Sequence, residues 1–172
     1  MKILRQMDAY GLKLCRYQAE LFESSAQEVA CSSKIFIRRF MNSDLAARMD
    51  SEGFFFEATD KGNAYEEIEK QYGKSSYGKN KLSAEELHWL GYIYRYWVYI
   101  SGRSSKQVYR LMTSDELGKL YFPYHSLDPR QAIERIAEAK EVDLLLDTGD
   151  LDRCVRIVRE ARARHLLTEQ GS

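Results

Sequence analysis

Apolar residues recur at three- and four-residue steps along much of this chain, which is the spacing of one face of an α-helix. The first run extends from about residue 3 to residue 28 and contains Ile3, Met7, Tyr10, Leu14, Tyr17 and Leu21. A second run begins near residue 32 or 33 and ends near Gly53, with Ser43 able to cap a new helix within it. Both prolines lie after residue 120, so we expect helix to dominate the chain before them.

The middle of the chain is predicted to contain two connecting segments with a short helix between them. Residues 54–56 are three phenylalanines followed by turn-forming residues, which indicates a buried linker, with a short strand as the alternative. A short helix is predicted from Ala64 to Tyr72. Residues 73–80 are rich in Gly, Ser and Lys, which is typical of a loop.

The clearest predicted helix begins at Ser83, because Ser83 precedes Glu86 at the spacing of a capping box, and continues to about Ser101. One face of this helix is a core stripe that consists of Leu87, Leu90, Gly91, Tyr94, Trp97 and Val98. A second, aromatic stripe consists of Trp89, Tyr92, Tyr96 and Tyr99. A helix that is apolar nearly all round is either central to the domain or covered by a partner. Both readings remain open from the sequence.

The region after Gly102 is predicted to contain shorter helices. Residues 104–112 and 114–117 resemble a helix-turn-helix, although Arg103, Lys106 and Arg110 are the only concentrated positive charges there. A structural helix pair is therefore favoured over a DNA-reading one. Asp128 and Pro129 form a strong helix start, after which residues 133, 136 and 137 would face the core.

These elements predict an all-α protein, with one helical bundle of about six to seven helices and irregular aromatic connections. We assign residues 1–140 to the helical domain and residues 141–172 to a C-terminal helical extension. The extension contains an arginine-rich helix at about 151–166, which would pack over the domain or mediate association, including homo-oligomerisation.

Composition narrows the classes of function. Lys+Arg and Asp+Glu both number 26, so there is no basic excess of the kind that non-specific nucleic-acid binding uses. The three cysteines are Cys15, Cys31 and Cys154, and their wide spacing indicates reduced thiols in a cytoplasmic protein. No uncharged stretch approaches the roughly 20 residues that span a bilayer, so we predict no membrane association.

A search for catalytic and metal-binding motifs gives mainly negative results. Gly73, Gly78 and Lys79 have the spacing of a phosphate-binding loop, but Asn80 follows where the motif requires Ser or Thr. We therefore predict no phosphate-binding loop here. The three histidines lie apart from one another and from the cysteines, and no metal-ligand spacing occurs. We predict no metal and no cofactor.

One pattern points to an enzyme. Arg159 and His165 are separated by five residues, which resembles the Arg-(four to six)-His motif of the helical HEPN ribonucleases. The resemblance implies a His acid/base and an Arg that stabilises the charged transition state. Five arginines crowd this segment, so an exposed basic helix is the simpler reading. Whether the protein is an enzyme is left open, with a non-catalytic role favoured.

A resemblance of wider extent covers roughly residues 10–140. The segments that carry the resemblance are residues 33–43, 45–46, 49–50, 67–73, 76–78, 89–96 and 124–129. They resemble a family of small bacterial proteins encoded beside ADP-ribosyltransferase-like toxin genes, in operons similar to toxin–antitoxin modules. The resemblance implies an antitoxin or accessory component whose partner is the co-encoded toxin-like protein. It assigns no catalytic residue.

Charged side chains within these segments suggest where a partner would bind. Arg38, Arg39, Arg95 and Asp50 lie in apolar runs, where such groups are paired if buried and available to a ligand if they face a cleft. Tyr, Trp and Arg are also the residues that dominate binding interfaces. We therefore predict a partner-binding set that consists of Trp89, Tyr92, Tyr96, Tyr99, Arg38, Arg39 and Arg95.

Overall fold

The computed structural model describes residues 4–51, 53–54, 60–144 and 159–160. In these residues it contains no strand, and it confirms the predicted all-α fold. The helices are α1 Ala9–Glu28, α2 Ser33–Met41, α3 Asp44–Asp50, α4 Lys61–Tyr72, α5 Ala84–Ser101, α6 Ser105–Leu111, α7 Ser114–Gly118, α8 Tyr121–Tyr124 and α9 Pro129–Ala139. Residues 159–160 are also helical.

Most helix starts are set by side-chain caps that the sequence predicts. The hydroxyls of Ser43 and Ser83 accept hydrogen bonds from the first turns of α3 and α5. Asp128 caps α9, with Pro129 at the first helical position. Gly102 ends α5 with a left-handed backbone (φ 72°) that a residue with a Cβ rarely adopts. These local signals explain the predicted starts of α3, α5 and α9. The predicted start of the first helix near residue 3 is wrong, because Asp8 caps α1 and the helix begins at Ala9.

More helices occur than the six to seven predicted, because the chain after α5 divides into short pieces. Capping boxes at Ser104 and Thr113 each start a new helix, and α6 and α7 are only seven and five residues long. The next helix, α8, has only four residues. The predicted helix at 151–166 lies outside the described residues except for 159–160, and the boundary at residue 140 remains a prediction.

The centre of the molecule is the contact between α1 and α5. Gly91 makes this contact possible, since a Cβ there would lie only 2.7 Å from the backbone oxygen of Gln18 and 2.9 Å from Cα of Ala19. Around it, Tyr94 and Trp97 are fully buried, as are the other residues of the predicted core stripe. α5 is therefore the central helix of the fold.

The second, aromatic stripe of α5 is divided between interior and surface. Tyr96 and Tyr99 are buried, whereas Trp89 and Tyr92 are half-buried. The first half of α5 thus reaches the surface, and the rest of the helix is covered by other elements. The central position is confirmed for the covered part of α5, and a partner on the remaining part stays a prediction.

Candidate functional site

The predicted partner-binding residues fall into three separate places. Arg38 is exposed on α2, and Arg39 lies beside it against the end of α4. Arg95 and the buried Tyr99 lie near the C-terminal end of α5. Trp89 and Tyr92 line a surface groove near its N-terminal end. Only this last pair lies in an open aromatic site.

Arg95 is a buried, internally paired residue. Its side chain is 1% exposed, and its Nη1 donates to Oδ1 of Asp50 at 2.6 Å. Nε donates to Oε1 of Gln18 at 2.7 Å, and Nη2 donates to the hydroxyl of Ser105 at 3.0 Å. Asp50 also accepts hydrogen bonds from the backbone N–H and the hydroxyl of Ser105. Of the two possibilities for a charged residue in an apolar run, Arg95 is therefore the buried one, with an internal ion pair.

This network connects four helices. Gln18 of α1 accepts from Arg95 and donates through Nε2 to the backbone oxygen of Gly91 in α5, at 3.1 Å. Asp50 ends α3, and Ser105 begins α6. Because every link joins a different helix, the network fixes the arrangement of the fold, and Arg95 offers almost no surface to a partner.

Arg39 also makes internal contacts. Its Nη1 donates to the backbone oxygen of Gly73 at 2.7 Å, and its guanidinium lies 5.5 Å from the ring centroid of Tyr72. It therefore holds the end of α4 against α2. Arg39 also lines a cavity of about 640 Å³, where the hydroxyl of Tyr65 already bonds Ser24 and the backbone oxygen of Leu21. Those polar groups are thus engaged within the protein.

The open aromatic site is a groove of about 340 Å³ between α5 and the α8 region. We call it the α5–α8 groove. Its apolar and aromatic lining includes Trp89, Tyr92, Tyr121, His125, Leu127 and Pro129. The rings of Trp89 and Tyr121 meet edge-on at 5.8 Å and 75°. The groove therefore presents aromatic faces and edges to solvent.

The α8 turn supplies the outer wall of this groove. Tyr121 stacks on His125 at 4.6 Å, and Nδ1 of His125 lies 2.9 Å from the backbone oxygen of Tyr121. Since a carbonyl oxygen only accepts, Nδ1 carries the hydrogen. The neighbouring Phe122 is 77% exposed, with its ring 5.4 Å from that of Tyr121. A phenylalanine this exposed beside a groove is the kind of apolar surface that binding sites present.

The charged residues of the groove are acidic. Glu23 and Glu85 are exposed and line it, whereas no Lys or Arg does so among the residues that the structure describes. Nδ1 of His88 lies 2.9 Å from Oε2 of Glu23. Burial raises the pKa of the Tyr92 hydroxyl, so that this tyrosine stays neutral. The groove thus joins aromatic rings to carboxylates.

Sequence reasoning identified only the α5 side of this groove. The sequence pattern predicts only irregular aromatic connections after α5, and nothing in it places Tyr121 against Trp89. Glu23 lies 65 positions before His88 and meets it only through the packing of α1 on α5. The exposed aromatic run at 121–122 was the one signal that could have suggested a second wall.

The alternative predictions are only partly accessible. Arg159 lies in a described, exposed helical position, whereas His165 lies outside the described residues, so the geometry of the pair is open. Lys106 and Arg110 are exposed on α6, while Nη2 of Arg103 donates to the backbone oxygen of Asp143 at 2.7 Å. Within the described residues, no group of three or more His, Cys, Asp or Glu could hold a metal ion.

Comparisons with known proteins add no relationship: no family model, no curated protein and no solved structure matches this chain. In the part of the chain that the structure describes, no helix is both long enough and apolar enough to cross a bilayer. Functional inference therefore depends on the geometry of the groove and on the resemblance given above.

Proposed function

We propose that this protein is a non-catalytic binding module that docks another protein in the α5–α8 groove. The observation that carries the proposal is an aromatic groove lined by the half-buried Trp89, Tyr92 and Tyr121. The exposed Phe122 borders it, with its ring 5.4 Å from that of Tyr121. Trp and Tyr dominate the binding energy of many interfaces, because they bury a large area and lose little conformational entropy.

The groove favours a partner that inserts a basic side chain. A Lys or Arg cation is attracted to the face of Trp or Tyr, and it is attracted further by nearby carboxylates. Trp89 and Tyr92 supply the rings, and Glu23 and Glu85 supply the negative charge. A partner with an acidic side chain at the same point would meet repulsion from both glutamates.

The resemblance suggests the identity of the partner. We propose that it is a co-encoded ADP-ribosyltransferase-like toxin and that this protein neutralises it by covering the substrate cleft. We also infer a cytoplasmic location, which is supported by two buried free cysteines, Cys15 and Cys31. Burial raises the pKa of the Cys15 thiol to about 12, so that it stays protonated and unreactive.

The proposal is tested by co-expressing this protein with the product of the adjacent toxin-like gene and measuring co-elution on size-exclusion chromatography. We expect one stoichiometric complex that Phe122→Ala and Trp89→Ala disrupt. The matched control is Tyr77→Ala, because Tyr77 has the same 77% exposure as Phe122 but lies on the 73–82 loop, whereas Phe122 contacts the groove-lining Tyr121.

The outcomes separate clearly. Loss of the complex in the groove variants, with the complex kept in Tyr77→Ala, would support docking in the α5–α8 groove. Equal behaviour of the groove and control variants would place the interface elsewhere. Elution of the wild-type protein alone, either as a folded monomer or as a homo-oligomer, would reject this partner and direct attention to the ribonuclease alternative at Arg159 and His165.

A further inference from the structure

The α5–α8 groove has the size and the ring content of a site for a small ligand. Its volume of about 340 Å³ lies within the roughly 300–1,000 Å³ that small-molecule sites occupy in proteins. The rings that line it are those of Trp89, Tyr92, Tyr121 and His125. A small molecule that enters the groove would therefore contact mainly aromatic surface.

Neighbouring rings hold the aromatic walls of the groove in place. Tyr121 stacks on His125 at 4.6 Å and meets Trp89 nearly edge-on at 5.8 Å. On the other wall, the half-buried Tyr92 lies 6.2 Å from the ring of Tyr96, which is buried. Because these contacts lie within the protein, a ligand finds the rings already positioned, which reduces the entropy lost on binding.

The charge of the lining favours a cation. Glu23 and Glu85 line the groove and are exposed, and no Lys or Arg does so among the residues that the structure describes. Beyond the lining, Arg16 and Asp128 act in opposite directions on the pKa of the Tyr92 hydroxyl, which is raised mainly by burial. Carboxylates thus dominate the charge that a ligand in the groove would meet.

The surroundings suit a cation that has no N–H groups. Oε2 of Glu23 already lies 2.9 Å from Nδ1 of His88, and both groove glutamates are exposed. Aromatic faces attract positive charge through their quadrupole rather than through a directed hydrogen bond. A primary ammonium placed against the rings would exchange bonds to water for ring contacts, and donors left without an acceptor are costly. A quaternary ammonium has no such donors, and its methyl groups suit an aromatic wall.

We propose that the α5–α8 groove binds a small quaternary ammonium ligand of the choline class, with its trimethylammonium group against Trp89, Tyr92 and Tyr121. Glu23 and Glu85 supply the opposite charge from the exposed side. Aromatic side chains are the usual recognition surface for quaternary ammonium groups in proteins. The ligand takes the same groove as the proposed protein partner, but its binding requires no partner, so failure of partner docking would leave it unaffected.

The test is titration of the full-length protein alone with choline, ethanolamine and dimethylbutanol, at constant ionic strength and at about pH 8, above the range in which histidine usually gains charge. Ethanolamine carries a primary ammonium, and dimethylbutanol has the shape of choline with a neutral carbon in place of the nitrogen. Tryptophan fluorescence reports on the groove, because Trp97, the other of the two tryptophans, is fully buried. We expect saturable binding of choline, with the other two compounds at least about tenfold weaker.

Two substitutions in the lining are each compared with a matched control. Glu85→Gln should weaken choline binding about threefold, because it removes a nearby negative charge. Its control is Glu86→Gln, in the same turn of α5 but outside the lining. Tyr121→Leu should weaken binding about fivefold or more, because it removes a ring. Its control is Tyr77→Leu, since Tyr77 is an exposed tyrosine on the 73–82 loop.

Thermal unfolding shows first that each variant is folded; if Tyr121→Leu is not, Glu85→Gln alone decides, since it changes an exposed side chain. Weaker choline binding in the lining variants, with both controls unchanged, would support the site. Absence of saturable choline binding to the wild-type protein would overturn it. Equal binding of choline and of either analogue would also overturn it, as would equal affinities of each lining variant and its control.

Discussion

The two ends of α5 use their polar and aromatic side chains in opposite ways. Near the C-terminal end, Arg95 is buried and pairs with Asp50 in a network that joins four helices. Near the N-terminal end, Trp89 and Tyr92 are half-buried beside carboxylates that stay in solvent. The same helix therefore holds the fold together at one end and presents a surface at the other. Substitutions at the two ends should separate stability from binding.

The largest effect on stability is expected for Arg95→Met. This change removes the cation and leaves Asp50 and Gln18 without their buried partner, which should cost about 3–5 kcal/mol in the free energy of unfolding. Urea denaturation measures it. The matched control is Arg130→Met, which breaks only the exposed pair with Glu134 and should cost no more than about 0.5 kcal/mol. Similar losses in both variants would mean that the buried network does not stabilise the fold.

Gly91→Ala should have the next largest effect, because its methyl group would overlap the backbone of α1 at Gln18 and Ala19. Backbone atoms cannot move aside as a flexible side chain can, so we expect a loss of about 1–3 kcal/mol. Gly118→Ala is the control, since a Cβ there would meet nothing within 4 Å. If Gly91→Ala were as stable as Gly118→Ala in urea denaturation, the result would contradict the close packing of α1 on α5 at Gly91.

A smaller, pH-dependent effect is expected at Asp8, which caps α1. Hydrogen bonds from the Tyr99 hydroxyl, at 2.6 Å, and from the Gly11 N–H, at 2.8 Å, lower the pKa of its carboxyl below the ordinary 3.8. A carboxyl whose pKa is lower in the folded state stabilises the fold when the pH is above its pKa in the unfolded state. That stabilisation is lost as the pH falls through its pKa in the folded state.

Unfolding measured at about pH 7 and about pH 2 in the wild-type protein and in Asp8→Asn tests this. At the higher pH the wild-type protein should be more stable than Asp8→Asn. The difference in free energy of unfolding between the two proteins should shrink at the lower pH. A difference that stays constant with pH would show that the charge of Asp8 has no part in it.

The smallest effect on stability is expected for Phe122→Ala at the open end. Phe122 is 77% exposed, so its truncation should change the free energy of unfolding by no more than about 0.5 kcal/mol. Thermal and urea unfolding measure this change. A loss of several kcal/mol would show that Phe122 belongs to the core, and the proposed docking surface would then lose its most exposed member.

Local signals in the sequence were sufficient for the fold class and for most helix boundaries. Ser43, Ser83 and Asp128 act through neighbouring backbone groups, so their effects can be predicted without knowledge of tertiary contacts. The core stripe of α5 is likewise a matter of helical spacing. The short helices after Gly102 were harder to separate, because their boundaries depend on capping boxes that span only four residues.

The candidate site was less predictable, because it depends on contacts between distant parts of the chain. Periodicity placed Trp89, Tyr92, Tyr96 and Tyr99 on one stripe but could not show that the last two are covered. Whether Arg95 is paired inside the protein depends on Asp50, which lies 45 positions away in the sequence. Tyr121 joined Trp89 only through the packing of α8 on α5.

The central claim, that the α5–α8 groove docks a protein partner, is tested most directly by two dissociation constants. These are measured for Phe122→Ala and Tyr77→Ala with the purified co-encoded toxin-like protein. The account predicts that Phe122→Ala binds at least about tenfold more weakly than Tyr77→Ala, which should match the wild-type protein. Equal constants for the two variants, with binding retained, would contradict docking in the groove.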